Sequence, residues 1–275
     1  MLRLLSFLFL VSAFFSCLPE KTALERALRE AGDNRMELEK VLAYYRDDTL
    51  KYQAACFLIE NMPDQYAVLP LDSTDTYARA LLSLDKEDPV SWEISRSLVA
   101  AVFDSISKIQ PESRIKIVRD IEVMTSDYLI ENIESAFKVW NRRGVAKHYS
   151  FDDFCSYVLP YRVAHEPLSH WRRTALQRYG HWLDSLNAPQ DIARSIAMRY
   201  PVRYNAGMTK YPYIMSYEEM DSLQWGTCDD MTAFLTLSLR AIGIPAATDV
   251  VKAWANRSSA HCWNVVKDTA GHFVD

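Results

Sequence analysis

The stretch from Gly226 to Pro245 constrains the fold of this 275-residue chain more than any other segment. Gly226 permits a sharp turn, and Cys228 follows it at the start of an apolar pattern with helical spacing. Gly243 is a natural C-terminal cap, and Pro245 prevents the helix from continuing. The pattern predicts a buried helix that begins at Cys228 and carries the apolar residues Met231, Phe234, Leu235, Leu239 and Ile242.

The predicted position of Cys228 gives its thiol a chemical role. A helix N-terminus carries a partial positive charge that favours the thiolate, which is the nucleophilic form of cysteine. A backbone N–H at the same end can face a developing oxyanion. Asp229 and Asp230 follow directly, and two carboxylates beside a thiol oppose its ionisation.

Three strand-like segments follow this helix. Ala247 to Ala255 is rich in valine, Ala260 to Lys267 has a second extended pattern, and Gly271 to Asp275 begins a third. The segment from Asn256 to Ser259, between the first two, has the composition of a turn and includes a formal glycosylation sequon, which we interpret as a turn. The C-terminal part is therefore predicted to pack a helix on antiparallel strands.

Side-chain alternation orders the chemistry of these strands. His261 and Trp263 share one face of the second strand, so if His261 faces Cys228, Cys262 faces away. This alternation disfavours a zinc site built from Cys228, His261 and Cys262, and we expect no metal and no cofactor. Asp275 lies fourteen residues after His261, a spacing that suits a hairpin with the carboxylate beside the imidazole. A thiol, a base and an orienting carboxylate are the parts of a nucleophilic triad.

This order of residues resembles the transglutaminase-like superfamily of papain-like cysteine enzymes. The resemblance covers about residues 200–275, and its matching segments are Gly226-Thr227-Cys228, Leu239 to Ala246, His261 to Asn264 and Phe273-Val274-Asp275. The helical part before it, with Phe154 to Arg162 and Trp171-Arg172, resembles exported Bacteroidetes proteins that carry such a domain.

The resemblance implies roles for individual residues. Cys228 is the nucleophile, His261 is the general base and later the acid, and Asp275 orients His261. The Cys228 N–H is one oxyanion donor, and the second is left open among Gln224, Trp225, Tyr204, Tyr211 and Tyr213. Domains of this family continue beyond the aspartate with further strands, so the resemblance implies a core that is truncated at its C-terminal end.

Residues 18–199 are predicted to form a helical scaffold without a site of its own. Apolar residues three and four apart predict helices at Lys51 to Asn61, Thr74 to Leu84, Trp92 to Ile109, Ser126 to Trp140, Pro167 to Leu186 and Pro189 to Tyr200. Asn34 and Glu37 have the spacing of a capping box. Structural or surface roles are expected for His165, Glu166 and His170. Solvated faces or ion pairs, rather than anion sites, are expected for the arginine pairs Arg142-Arg143 and Arg172-Arg173. The fold class is therefore α+β, with a large N-terminal all-helical region before a truncated transglutaminase-like core at 200–275.

The N-terminal residues 1–17 have the pattern of a targeting segment. A twelve-residue apolar run from Leu4 to Phe15 follows Arg3, which is too short for a bilayer span of about 20 residues. Ser16-Cys17 directly after it resembles a bacterial lipoprotein signal, in which Cys17 carries the lipid. An ordinary cleaved signal and an uncleaved anchor are the alternatives. We therefore expect an exported protein held in the cell envelope by a lipid anchor at Cys17.

Composition excludes several classes of protein. A chain that is 49% hydrophobic with a net charge of -5 is neither disordered nor an electrostatic partner for nucleic acid. Among the remaining cysteines, Cys56 and Cys155 are either a disulfide or, as their apolar helical contexts favour, two buried thiols.

These observations lead to one favoured function and two alternatives. The favoured one is an exported cysteine acyl-transfer enzyme that acts on a protein or peptide-like amide, with hydrolysis preferred to cross-linking by analogy with the family. The first alternative is a catalytically inactive binding or scaffold module. The second is an unrelated helical binding protein, which requires an accidental C-terminal pattern. The sequence does not specify the substrate or the oligomeric state.

Overall fold

A computed structural model describes residues 22–71, 76–83, 92–109, 115–142, 148–184, 188–199, 202–253 and 260–275. The chain has an α+β fold in which helices dominate and the sheets are small. The helices are α1 (Ala23–Glu30), α2 (Arg35–Tyr44), α3 (Thr49–Glu60), α4 (Thr76–Leu82), α5 (Trp92–Ile109), α6 (Asp120–Val123), α7 (Ser126–Trp140), α8 (Phe151–Tyr157), α9 (Trp171–Tyr179), α10 (Pro189–Met198), α11 (Tyr217–Leu223) and α12 (Cys228–Ala241). The strands are β1 (Tyr66–Pro70), β2 (Ile115–Arg119), β3 (Arg203–Tyr204), β4 (Trp225–Gly226), β5 (Ala246–Val251), β6 (His261–Lys267) and β7 (Phe273–Val274).

Several parts of the sequence prediction fall outside the described residues. These are the targeting segment 1–17 with Cys17, Arg143, the turn from Asn256 to Ser259, and the ends of the elements predicted at 74–84, 167–186, 189–200 and 247–255. Among the residues that the structure does describe, no helix is both long enough and apolar enough to span a bilayer.

The helices with a clear apolar stripe are confirmed. The predicted bounds of α5 and α7 are those observed, and α3 differs from its prediction by one or two residues at each end. α4 lies within its predicted range, and α10 begins at Pro189 as predicted and ends at Met198. The prediction from Pro167 to Leu186 was too long, since α9 spans only Trp171–Tyr179 and a 3-10 segment follows it. Helix boundaries depend on caps more than on apolar spacing, which accounts for this pattern of success.

The region before residue 200 is not all-helical, so that prediction was wrong. β1 and β2 form an antiparallel ladder in which Tyr66 pairs with Arg119 and Pro70 pairs with Ile115. The first three residues of β2 are all exposed, so its two faces do not differ in burial there. Without one buried face, a strand has no period-2 apolar pattern to detect.

The predicted capping box of Asn34 and Glu37 does not form. Asn34 uses its side-chain amide to donate to the carbonyls of Ile121 and Met124, at 3.1 and 2.9 Å. The Glu37 carboxylate accepts hydrogen bonds from the backbone N–H and the hydroxyl of Ser126, at 2.8 and 2.7 Å. Both side chains therefore join distant parts of the chain, because long-range polar partners outcompeted the local cap.

Two hydrophobic clusters form the core. One surrounds α7 and includes residues of α1 to α3 and α8, such as Leu38, Ile59 and Phe154. The other surrounds α12 and includes Phe103 and Trp171 from before residue 200. The core around α12 therefore crosses the sequence boundary that we drew between 199 and 200.

Buried arginines connect these clusters. Arg172 is 4% exposed and donates to the carbonyls of Val158, Leu159 and Arg240 and to the side-chain amide oxygen of Asn132, at 3.0–3.2 Å. Burial, together with the charge of Arg240, lowers the pKa of Arg172. The expectation that this arginine is solvated or part of an ion pair was therefore wrong, because its side chain is buried and donates to carbonyl and amide oxygens in the core.

A second buried arginine, Arg162, forms an ion pair. Its guanidinium donates from Nε and Nη2 to both carboxylate oxygens of Asp120, at 2.8 and 2.6 Å. Both side chains are almost fully buried, so the pair fixes the start of α6 against the segment that follows α8.

The C-terminal prediction of a helix followed by three strands is confirmed. α12 begins at Cys228, and Gly243 follows it with φ of 81°, the left-handed conformation that ends helices. β5, β6 and β7 pair antiparallel in that order. The side-chain amide of Asn264 in β6 donates to Thr232 and Thr236 of α12, at 2.9 and 2.8 Å, and so fixes the sheet on the helix.

Arg172→Lys tests the buried arginine. A lysine ammonium cannot reproduce the fork that reaches four acceptors, and each buried acceptor without a partner costs about 1–3 kcal/mol. We expect the free energy of unfolding in urea to fall by about 2–5 kcal/mol. Arg173→Lys, at the exposed neighbouring position, is the control and should stay within about 0.5 kcal/mol of the wild type. Equal effects of the two variants would contradict this account.

Glu37→Gln tests the contact between α2 and α7. Hydrogen bonds from Lys40 and Ser126 lower the pKa of Glu37 from 4.5 to about 2. A lowered pKa means that the carboxylate stabilises the fold fully above pH 4.5 and stops doing so as the pH falls towards 2. We expect the variant to melt below the wild type at pH 7 and the gap in Tm to close between pH 4.5 and 2. Ser126→Ala keeps the backbone donor and should therefore lower Tm at pH 7 by less than Glu37→Gln does. A difference in Tm between Glu37→Gln and the wild type that does not change with pH would contradict this explanation.

Candidate active site

Cys228 lies at the first residue of α12, as predicted. Thr227 is the N-cap, and Asp230 completes a capping box by accepting from the Thr227 N–H and hydroxyl, both at 2.8 Å. The same carboxylate accepts from the N–H of Met215 at 3.3 Å. Burial raises the pKa of Asp230, and the hydrogen bonds from Thr227 oppose that rise. Asp230 therefore fixes the helix end that carries Cys228.

Gly226 is required by the same cap. A Cβ added at this position would lie 2.8 Å from the Cβ of Asp230, closer than real Cβ contacts. The glycine that the sequence suggested for a sharp turn is therefore needed for close approach to Asp230.

Asp229 points the other way and contacts two thiols. Its Oδ2 lies 3.9 Å from Cys228 Sγ, and its Oδ1 lies 3.4 Å from Cys262 Sγ. The three donor atoms lie within 4.8 Å of one another. Cys262 also contacts the Thr232 hydroxyl at 3.4 Å. Burial, with the Asp229 carboxylate and the Cys228 thiol nearby, raises the pKa of Cys262 to about 12.

The prediction that Cys262 faces away from Cys228 was wrong. Alternation along β6 holds, since the rings of His261 and Trp263 lie 6.2 Å apart while Cys262 is buried. The face turned to α12 is that of Cys262 and Asn264, because Asn264 hydrogen-bonds the helix. The argument against a metal site rested on the opposite orientation and therefore does not hold.

His261 lies at the end of β6 and lines the same cavity as Cys228. It is the first residue of β6, pairs with Val251 and is exposed. His261 and Cys228 line the same cavity, whose volume is about 1050 Å³. Tyr204, Tyr211 and Tyr213 contribute to its wall. The structure thus brings the predicted nucleophile and base to one solvent-accessible space.

Asp275 is not brought beside His261. Val274 pairs with Val266, so Asp275 is level with a residue four places along β6 from His261, about 13 Å along the strand. The register is set by a tight turn in which the Asp268 carboxylate accepts from two backbone N–H groups. The spacing of fourteen residues indicated a hairpin correctly and its register incorrectly.

Two of the oxyanion candidates lie elsewhere. Gln224 ends α11 with φ of 58° and lines a separate cavity with Arg178 and Asp221. Trp225 packs against the core cluster around α12. Tyr211 and Tyr213 lie in the wall of the site cavity, with their hydroxyls 3.0 Å apart. The remaining side-chain candidates are therefore the tyrosines.

The chain was compared with protein-family models, curated proteins and solved structures. None of the three gives a match. The site must therefore be interpreted from its own geometry.

The helical scaffold contributes to the site, contrary to expectation. Val68 of β1, Ile115 of β2 and His165 line the same cavity as Cys228. His165 stacks on Tyr66 with ring centroids 4.0 Å apart and accepts from the Val68 N–H through its carbonyl. No local sequence pattern signals this position, because the β1–β2 ladder brings it there. The sequence did contain a signal for Cys262, because it lies four residues from Val266 and therefore on the same face of β6, and both residues are buried.

The other two cysteines among the described residues, Cys56 and Cys155, are free thiols. Cys56 is partly buried in α3 and Cys155 is buried in α8, so the alternative of a disulfide between them is not observed. Burial raises the pKa of Cys155 to about 12, as expected for a thiol in an apolar core.

Gly226→Ala tests the packing that positions Cys228. The new Cβ must displace Asp230, and overpacking of this kind costs about 1–3 kcal/mol. We expect a loss of that size in the free energy of unfolding. Gly180→Ala is the matched control, because its Cβ would meet only the flexible Leu176 side chain at 3.3 Å. Calorimetry that shows equal effects for both variants would argue against a tight Gly226–Asp230 contact.

Proposed function

We propose that this chain is a cysteine-dependent acyl-transfer enzyme of the transglutaminase-like kind, which hydrolyses amide or peptide bonds. The observation that carries the proposal is that Cys228, at the first residue of a buried helix, shares one cavity with His261. The order of a helix cysteine before a strand histidine is what the resemblance implies for such enzymes.

The chemistry follows from the positions of these groups. His261 takes the proton of the Cys228 thiol, and the sulfur attacks the amide carbonyl to form a tetrahedral intermediate. Collapse forms the thioester and breaks the C–N bond, while the imidazolium returns its proton to the leaving amine. Water, deprotonated by His261, then attacks the thioester and releases the acid and the thiol.

The helix end supports the charged intermediate. Backbone N–H groups in the first turn of a helix have no acceptor within the helix, so the N–H of Cys228 can donate to the oxyanion. Tyr211 and Tyr213 are the side-chain donors that we propose for the second position, since both line the cavity. The cavity volume of about 1050 Å³ is large enough for a peptide-like substrate.

The proposed location of the enzyme rests on the sequence. The apolar run before Cys17 supports export, and Cys17 is the proposed site of the lipid anchor in the cell envelope. The proposed partners are a protein or peptide-like amide and, through the anchor, a membrane.

An inactive binding module is the second candidate, and two observations favour it. The Cys228 thiol lies 3.9 Å from the Asp229 carboxylate, to which its S–H can donate instead of to His261. Asp275, the proposed orienting group, lies about four residues along β6 from the level of His261. A binding module needs the cavity but not an ionised thiol.

Alkylation of Cys228 by iodoacetamide, with the site mapped by mass spectrometry, separates the two candidates. If His261 activates the thiol, His261→Ala should slow alkylation of Cys228 at pH 7 by about tenfold or more. His272→Ala is the matched control, because His272 is an exposed histidine of the same sheet region that does not line the cavity. It should react like the wild type.

Two results would favour the binding module. One is a Cys228 that reacts at the same rate in both histidine variants. The other is a Cys228 that stays unreactive while the partly buried Cys56 is modified.

A further inference from the structure

The donor atoms of Cys228, Asp229 and Cys262 have the spacing of a metal site. Zinc–sulfur bonds of about 2.3 Å and zinc–oxygen bonds of about 2.1 Å, at tetrahedral angles, place neighbouring donors about 3.6–3.8 Å apart. The observed sulfur–oxygen distances are 3.4 and 3.9 Å, and all three atoms lie within 4.8 Å. A cation can therefore contact all three with small side-chain rotations.

The three donors are held by rigid elements. Cys228 and Asp229 occupy the first turn of α12, which the Thr227–Asp230 capping box fixes. Cys262 lies in the middle strand of its sheet, and its thiol contacts the Thr232 hydroxyl. Preorganised ligands with a neighbouring hydroxyl are typical of metal sites with a supporting outer shell.

We propose that Cys228, Asp229 and Cys262 bind a thiophilic divalent cation of the zinc class. Two thiolates and a carboxylate favour such an ion over magnesium or calcium, which prefer oxygen ligands. Each thiol that coordinates releases its proton to solvent, so the bound cluster carries one net negative charge. Cys228 and Asp229 line the cavity, so a fourth ligand, water or His261, approaches from there.

Binding of this cation blocks catalysis, and this consequence rests on the proposed function. A sulfur that donates an electron pair to zinc is a weaker nucleophile and is held in the cluster, and a thiolate without a proton gives His261 no proton to take. The cation would therefore hold the enzyme inactive until a chelator or a stronger thiol removes it.

Isothermal titration calorimetry with zinc chloride tests the site. The full-length protein is first stripped of metal with EDTA and is kept reduced by a reductant that does not chelate zinc. The wild type should bind one zinc ion per chain. Loss of a supporting contact alone costs 10–100-fold in affinity, so Cys262→Ser should weaken binding by at least about 100-fold. Asp229→Asn keeps the shape of an exposed side chain and should weaken binding as well. Cys56→Ser, a free thiol of α3 outside the cluster, is the matched control and should bind like the wild type.

Two results would overturn the metal site. One is a wild type that binds no zinc; the other is zinc binding of unchanged affinity in Cys262→Ser and Asp229→Asn. Alkylation keeps this test separate from that of the proposed function. Zinc should protect Cys228 from iodoacetamide in the wild type and not in Cys262→Ser, whatever the effect of His261→Ala on the metal-free rate. If His261→Ala does not change the alkylation rate but zinc still protects Cys228, the proposed enzyme is contradicted and the proposed metal site is supported.

Discussion

The position of the site depends on the buried Arg172. Its guanidinium has no carboxylate partner among its hydrogen-bond acceptors, which are the carbonyls of Val158, Leu159 and Arg240 and the amide of Asn132. A buried charge is tolerated only where its donors are hydrogen-bonded. These four acceptors must therefore keep positions that match the geometry of the Arg172 guanidinium. They belong to α7, to the segment after α8 and to the end of α12. One side chain therefore fixes both hydrophobic clusters and the C-terminal end of the helix that carries the site.

A second polar group fixes the opposite end of that helix. Asp230 joins Thr227 and Met215, and its neighbourhood excludes any side chain at Gly226. The helix between the two ends has fourteen residues and is about 21 Å long. Because α12 is fixed at both ends, the backbone of Cys228 has little freedom to move. The position of the thiol is thus set by the contacts of Arg172 and Asp230 at the two ends of the helix.

The sequence predicted those features whose cause is local. The apolar stripes of α5 and α7 and the Gly226–Cys228–Gly243 pattern of α12 depend on neighbours within a few residues, and each was recovered. The features that were missed depend on distant partners. Asn34 binds carbonyls about ninety residues away, and His165 enters the cavity wall through the β1–β2 ladder.

The orientation of β6 shows why the candidate site was only half predicted. Alternation separates His261 from Cys262 correctly, but it does not say which of them faces α12. That choice is made by Asn264, which hydrogen-bonds Thr232 and Thr236 across thirty residues of chain. The register of β7 is likewise set by the turn at Asp268 rather than by the number of residues to Asp275.

Asp229 has opposite roles in the proposed enzyme and in the proposed metal site. In the metal-free protein its carboxylate lies beside two thiols and helps to raise the pKa of Cys262, and the proposed mechanism assigns activation of Cys228 to His261. With a cation present the same negative charge becomes a ligand and favours both thiolates. Because one sulfur of Cys228 serves both states, they exclude each other. Asp229, unlike Asp230, takes no part in the helix cap, so its charge is available to set the balance between them.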